Sequence, residues 1–287
     1  MKSYLKGWLY IFIAIALLYF ATSSAHAQWP QGKGQAYLKL GTWNQNSDTH
    51  FSDTGDVEPN GLRTINVNSL FARVGIDDKW TITGNFPLIN TSQSLESVRG
   101  VFTERGINVG DINLSLERLL YKSEKGLHIG ADITLGLPVG AVGVVGSGDG
   151  EFNQMIRVMA GTGYAIGDEV VGKQYFYAKG GIGINNRTQG FSDEFVAGLE
   201  TGTTIKDKLF VLTRLNVIKS FNNEPVQFFT NNHAVFGDRL ERTTLGFEGT
   251  YNLSDNLGLS AGYVKPLTGK FVFNAPAWTA GIIYKIK

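Results

Sequence analysis

The sequence predicts an all-β fold: a closed antiparallel transmembrane β-barrel of about 12 strands, preceded by a cleaved signal peptide. Three observations predict it. Apolar and polar residues alternate in segment after segment, as they do in a strand whose two faces meet different solvents. Connectors alternate short and long, with an even strand number and both chain ends on the short side, which is the plan of a membrane barrel. Beyond the N-terminal leader, no stretch is apolar over the ~20 residues a spanning helix needs.

The leader comes first. Lys2 and Lys6 form a positive front, Leu9 to Phe20 is almost wholly apolar, and Ala25-His26-Ala27 is a small-x-small cleavage site. The apolar run is too short for an uncleaved anchor, so residues 1–27 read as a signal peptide and 28–287 as the mature barrel. Export to the outer membrane of a Gram-negative cell follows as the expected location.

Losing Lys2 and Lys6 changes the balance from 26 cations against 25 acids to 24 against 25, a net −1. A nearly neutral chain has no field that seeks nucleic acid. With no cysteine there is no disulfide framework, thiolate metal site or lipidated N-terminal cysteine. Mean hydropathy near zero suits a barrel in which only alternate residues meet lipid.

Alternation is clearest from Leu127 to Leu137, where odd positions are apolar and even ones polar or glycine. Comparable segments lie at about 34–45, 62–76, 79–90, 111–122, 126–138, 153–166, 173–185, 194–206, 209–221, 239–253, 256–266 and 275–286. Short turns fall at Asp77-Asp78, Ser123-Glu124-Lys125, Gly167-Asp168, Asp207 and Ser254-Asp255. Longer connectors cover about 46–61, 91–110, 139–152, 186–193, 222–238 and 267–274. A soluble sandwich or open sheet has no reason to obey this alternation of lengths.

Trp80, Tyr164, Tyr251 and Tyr284 lie at short-turn ends with lipid-facing parity, as an aromatic girdle at headgroup level requires. Phe86 and Trp278 are candidates for the other rim. Two segments conflict. Arg118 follows the outward set Ile112, Leu114 and Leu116, so a one-residue bulge near Glu117 is expected to turn it inward and Tyr121 outward. A similar irregularity is expected between Val67 and Arg73.

Three stretches carry a resemblance: Leu70 to Pro87 (LFARVGIDDKWTITGNFP), Gly110 to Glu117 (GDINLSLE) and Leu135 to Gly140 (LGLPVG). They resemble the strand–turn–strand signature, the Gly-Asp strand opening and the Leu-Pro-Thr-Gly of outer-membrane transporter-like proteins of the "MetA-pathway of phenol degradation" family, with Val139 in place of the threonine. The resemblance implies a barrel of about 12 strands that passes small organic molecules, and supplies no catalytic residue. A more distant likeness to long-chain fatty-acid channels fails at Gln28 to Lys33, too short for their plug.

Lys39, Glu117, Asp132, Arg157, Lys179, Glu200, Arg214, Arg242 and Glu248 fall on the inner parity near strand middles. Facing hydrocarbon at mid-depth would cost about 2–4 kcal/mol for Arg or Lys, so these groups are expected to face the lumen. They read either as ion pairs bracing a narrow lumen or as an eyelet that orients a solute. Phe228, Phe229 and Phe236 are expected at the mouth, where they could greet an apolar solute, fold in as a lid or pack on the rim.

Gly167 to Gln174 imitates a P-loop, but Gln174 replaces the required Ser/Thr and no helix follows, so no nucleotide cofactor is expected. His50, His128 and His233 are far apart and lack metal-site spacing, so no metal is expected. There is no Gly-x-Ser-x-Gly elbow, and the chain is not expected to be an enzyme. The functional expectation is a monomer, in contact with outer-membrane lipid, passively moving a small aromatic or otherwise apolar molecule. The alternative is a non-conducting structural or surface-interaction barrel, and the third reading is an outer-membrane lipid hydrolase.

Overall fold

Twelve antiparallel staves close on themselves in the computed structural model, which describes residues 30–59, 62–97, 100–142, 146–166, 174–206, 208–225 and 238–287. The leader, the Gly167 to Lys173 turn, Asp207, Phe228, Phe229, His233 and Phe236 lie outside the described residues. In chain order the elements are β1 (Ala36–Ser47), β2 (His50–Phe51), β3 (Val57–Glu58), β4 (Leu62–Gly75), β5 (Trp80–Ser97), β6 (Gly100–Val109), β7 (Ile112–Lys122) and β8 (His128–Leu137). They continue as β9 (Asn153–Ile166), β10 (Gln174–Arg187), β11 (Glu194–Ile205), β12 (Leu209–Ser220), β13 (Glu241–Asn252), β14 (Leu257–Lys270), β15 (Val272–Phe273) and β16 (Ala277–Ile286).

The chain ends meet in the seam β1–β16, which runs in unbroken register from Ala36↔Ile286 to Gln45↔Ala277. β1 also pairs β4, and β4 pairs β5, which closes the sheet on itself; β6 extends above the closed ring with β5 as its strand partner. β6 and β7 together make one stave. The first part of β5 pairs β7, from Trp80↔Arg118 to Asn85↔Asn113, and the rest pairs β6, from Leu88↔Val109 to Ser97↔Gly100.

Period-two alternation sorts the two faces. Leu40, Ile156, Ile182 and Ile282 point outward and are more than half exposed, whereas Lys39, Arg157 and Ile283 point the other way. A soluble protein does not leave so continuous an apolar face in water. Among the described residues, no helix is long and apolar enough to cross a membrane.

Three expectations need correction. The connector expected at 91–110 is largely strand, because β5 continues to Ser97 and returns as β6. Beyond the membrane both faces of a hairpin meet water, so the alternation that marks the other strands fades there. The bulge expected near Glu117 lies further on, where Leu119 pairs Gly130 and Tyr121 pairs Ile129, leaving Leu120 as the extra residue. Glu117 therefore stays inside and Tyr121 turns outward as expected, but Arg118 stays outside, its guanidinium 4.9 Å from the Trp80 ring centre. An aromatic neighbour at the interface gives the charge an outward home. In β4 there is no irregularity. Its pairing is unbroken on both sides, and Val67 simply shares the inner face with Arg73.

The connectors of the long-loop end are partly ordered by one another. β2, β3 and β15 form a small separate sheet, and Phe51, Leu240 and Val272 pack beneath it as an apolar cluster. At the other end the chain approaching β1 crosses the inner wall. The Gln31 N–H donates to Thr81 Oγ1, the Gly34 N–H to the Gly75 carbonyl and the Gly75 N–H to the Gln35 carbonyl, each at 3.0 Å.

Candidate functional site

Cross-strand register places the inward charges beside partners of opposite sign. Asp132 and Arg157 are direct neighbours on β8 and β9. Lys179, Glu200 and Arg214 sit side by side on β10, β11 and β12. Lys179 Nζ is 3.1 Å and Arg214 Nε 2.6 Å from the two oxygens of Glu200, and the Tyr177 hydroxyl donates to Glu200 at 2.7 Å. Arg214 also reaches Glu248 at 3.5 Å, whose other oxygen accepts from Lys39 at 2.8 Å.

Two of these pairs reach over intervening strands. Lys39 on β1 meets Glu248 on β13 past β14 and β16, and Arg73 on β4 donates to both oxygens of Glu117 on β7 past β5, at 2.9 and 3.1 Å. The result is a belt of ion pairs around most of the inner wall. Such pairs in a partly wetted lumen fix geometry more than they add stability.

The belt surrounds a cavity of about 1020 Å³. Lys39, Arg73, Lys179, Glu200, Arg214 and Glu248 line it, with Tyr37, Trp43, Phe71, Tyr177 and Phe210 between them. Two ring pairs give the wall flat apolar facets. Tyr37 and Phe71 meet edge to face at 6.1 Å, and Tyr177 stacks on Phe210 at 6.0 Å. His128 is buried on the same wall near the short-turn end.

Arg242 lies apart from the belt, in a second cavity of about 190 Å³ with Asn113, Asn153, Asn185, Arg187 and Glu194. Above it the connector from β8 to β9 is pinned inward by Asp111. One Asp111 oxygen accepts from the Gly140 N–H and the other from the Asp149 N–H, both at 2.9 Å. Gly148 lies so close to this carboxylate that a Cβ there would collide with it. Arg187 bridges Asp149 (3.0 Å) and Glu194 (3.2 Å) and covers the Phe191 ring at 4.4 Å. The Glu151 carboxylate accepts the Gln189 N–H at 2.6 Å and the Phe191 N–H at 3.3 Å. Burial is the main cause that raises the Glu151 carboxyl above its ordinary value, outweighing these backbone donors.

The four aromatics expected to form the girdle sit near the short-turn end, Tyr164 also contributing to the main cavity's lining. Trp80 lies under Arg118, Tyr164 stacks on Phe176 at 5.3 Å, and Tyr251 and Tyr284 are about half exposed on the outer face. At the other rim Trp278 meets Tyr263 edge to face at 4.8 Å.

Several residues escaped the sequence reading. Arg73, Tyr37, Phe71, Tyr177 and Lys285 all line the main cavity, and parity alone would have added Tyr37 and Tyr177, two residues before Lys39 and Lys179. Asp111 and Arg187 gave no such signal, because their partners lie in irregular connectors. His50 is held 3.8 Å from Glu58, far along the chain from His128. Among the described residues, no group of His, Asp and Glu could hold a metal ion.

No protein-family model matches the chain, and no curated protein matches it. Solved structures do. An outer membrane channel from Pseudomonas putida F1 is similar at a TM-score of 0.54 and 11% identity, over 92% of this chain and 100% of that one. The KdgM porin follows at 0.49 and 8%, over 87% and 99%. The translocator domain of the autotransporter NalP from Neisseria meningitidis follows at 0.48 and 10%, over 89% and 90%. At such identities the likeness is one of architecture. This chain has a closed antiparallel β-barrel fold of twelve staves, similar in architecture to that outer membrane channel.

Proposed function

We propose that the protein is a monomeric outer-membrane barrel through which a small aromatic or otherwise apolar molecule moves passively. One observation carries the reading: a closed barrel with an apolar outer face holds a cavity of about 1020 Å³ whose wall alternates aromatic rings with charges. A lumen packed only for bracing would leave no such space. The charge belt orients the solute, the rings accept its flat faces, and Trp80, Tyr164, Tyr251 and Tyr284 anchor the barrel at the headgroups. The resemblance of Leu70 to Pro87 to phenol-pathway transporters supports the aromatic solute class.

Single-channel recording in planar bilayers, followed by uptake of phenol into liposomes, tests the proposal. Steady ion flow and phenol uptake are expected. A folded but silent barrel would favour the second reading, a closed scaffold, for which the pinned connector between β8 and β9 and the small upper cavity speak. Phospholipid turnover that is lost on His128→Ala would favour a hydrolase.

A further inference from the structure

One part of the cavity wall differs from the rest. On β1, Tyr37 and Lys39 both point inward. Tyr37 is the register partner of Arg73 on β4, and Lys39 that of Phe71. Two rings therefore occupy one diagonal of a four-residue square and two cations the other. On the far side of Tyr37, its partner on β16 is Lys285, so a ring stands between two cations at one level of the barrel.

The two cations of the square are already matched, Lys39 by Glu248 and Arg73 by Glu117. Lys285 is not. Among the described residues its Nζ donates to Asn252 Oδ1 at 2.9 Å and has no carboxylate within ion-pair reach. The wall as a whole carries the same excess. Five Lys and Arg side chains line the cavity against the carboxylates Glu200 and Glu248, with a third, Glu117, held behind Arg73. An ammonium without an ion-pair partner in the same cavity wall as a ring pair, in a lumen of reduced dielectric, favours an anion over a cation or a neutral molecule.

We infer that the Tyr37–Phe71–Lys285 corner is a binding subsite for a small aromatic carboxylate. The ring of the solute packs on Tyr37 and Phe71, and its carboxylate accepts from Lys285 Nζ once that side chain turns from Asn252 on β13 toward its register partner Tyr37 on β1. The neighbouring guanidinium of Arg73 adds attraction without giving up Glu117. This subsite rests on the transport reading and narrows it, from aromatic solutes in general to anionic ones. It belongs to the wall and not to the belt, so it leaves the belt's own pairs intact.

The test uses the full chain in two arms. In liposomes, uptake of benzoate, benzyl alcohol and benzylammonium is compared for the wild type, Lys285→Gln and Tyr37→Leu. In micelles, benzoate binding to the same three proteins is followed by saturation-transfer NMR. Benzoate is expected to enter faster than benzylammonium, and Lys285→Gln to slow benzoate about tenfold while benzyl alcohol is unchanged. Tyr37→Leu should weaken both ring-bearing solutes. The binding arm separates the two ideas. Benzoate bound by the wild type and released in Lys285→Gln supports the subsite even if nothing crosses the liposome. Benzyl alcohol uptake with no benzoate preference and no effect of Lys285→Gln overturns the subsite and leaves transport standing. Heat-modifiable migration of each variant on gels reports that its barrel has formed.

Discussion

Asp132 and Arg157 face each other directly across β8 and β9, with the arginine Nε 3.1 Å from both carboxylate oxygens. The Asp132 side chain is 2% exposed, whereas that of Arg157 is 38% exposed. The aspartate therefore depends on this partner far more than the arginine does. Arg157→Ala is expected to destabilise the barrel by about 2 kcal/mol, less than a fully buried pair because Arg157 is partly in water. Adding Asp132→Asn should recover most of the loss. Urea unfolding in lipid vesicles, followed by tryptophan fluorescence, measures both.

Arg214 is the cation that links Glu200 to Glu248. Arg214→Gln removes one positive charge and leaves two carboxylates in the cavity wall with one fewer partner. The channel should shift toward cations, moving the reversal potential in a tenfold salt gradient in the cation-selective direction. An unchanged reversal potential would mean that ions do not pass the belt.

The connector between β8 and β9 should respond to acid. Burial raises the Glu151 carboxyl, so the docked connector binds protons more tightly than the released one. Its docking must therefore strengthen as pH falls from neutrality toward the ordinary carboxylate range, and weaken as pH rises through the raised value. Hydrogen exchange at Ser147 to Glu151, corrected for intrinsic rates, should slow on acidification. Glu151→Gln should flatten that response. Asp111→Ala removes the acceptor of two backbone donors and should speed exchange at Gly140 and Asp149 by at least about tenfold at any pH.

Trp80 should report the headgroup region. In a variant carrying Trp29→Phe, Trp43→Phe and Trp278→Phe, bromines attached high on the acyl chain should quench fluorescence more than those near the bilayer centre. Adding Arg118→Ala should deepen the ring by removing the cation that holds it at the surface. Equal quenching at all depths would remove Trp80 from the girdle.

The staves were legible because alternate residues live in oil and in water, and that contrast marks each segment almost to its ends. Where the contrast vanishes, so does the signal. β5 beyond Asn90 and the start of β6 lack a regular apolar alternation in the sequence, and their serines, threonines and glycines read as connector. Arg118 eluded the rule that charges face inward because Trp80 sits opposite it at the interface. Arg73 and Val67 conflict only if an inner face must be polar throughout; a barrel wall tolerates an apolar side chain above its charged belt. The upper network around Asp111 and Arg187 was illegible for another reason: Asp111 accepts from backbone groups of a distant connector and Arg187 pairs carboxylates 38 and 7 positions away, which no local pattern announces.

The bond between Lys39 and Glu248 spans 209 positions of the chain. It can form only after the first strand has travelled round to meet the last, and so it acts as a latch thrown from inside once the cylinder is complete. Hairpins can rise one by one without it, yet the finished tube cannot be reopened along its seam until this latch lets go.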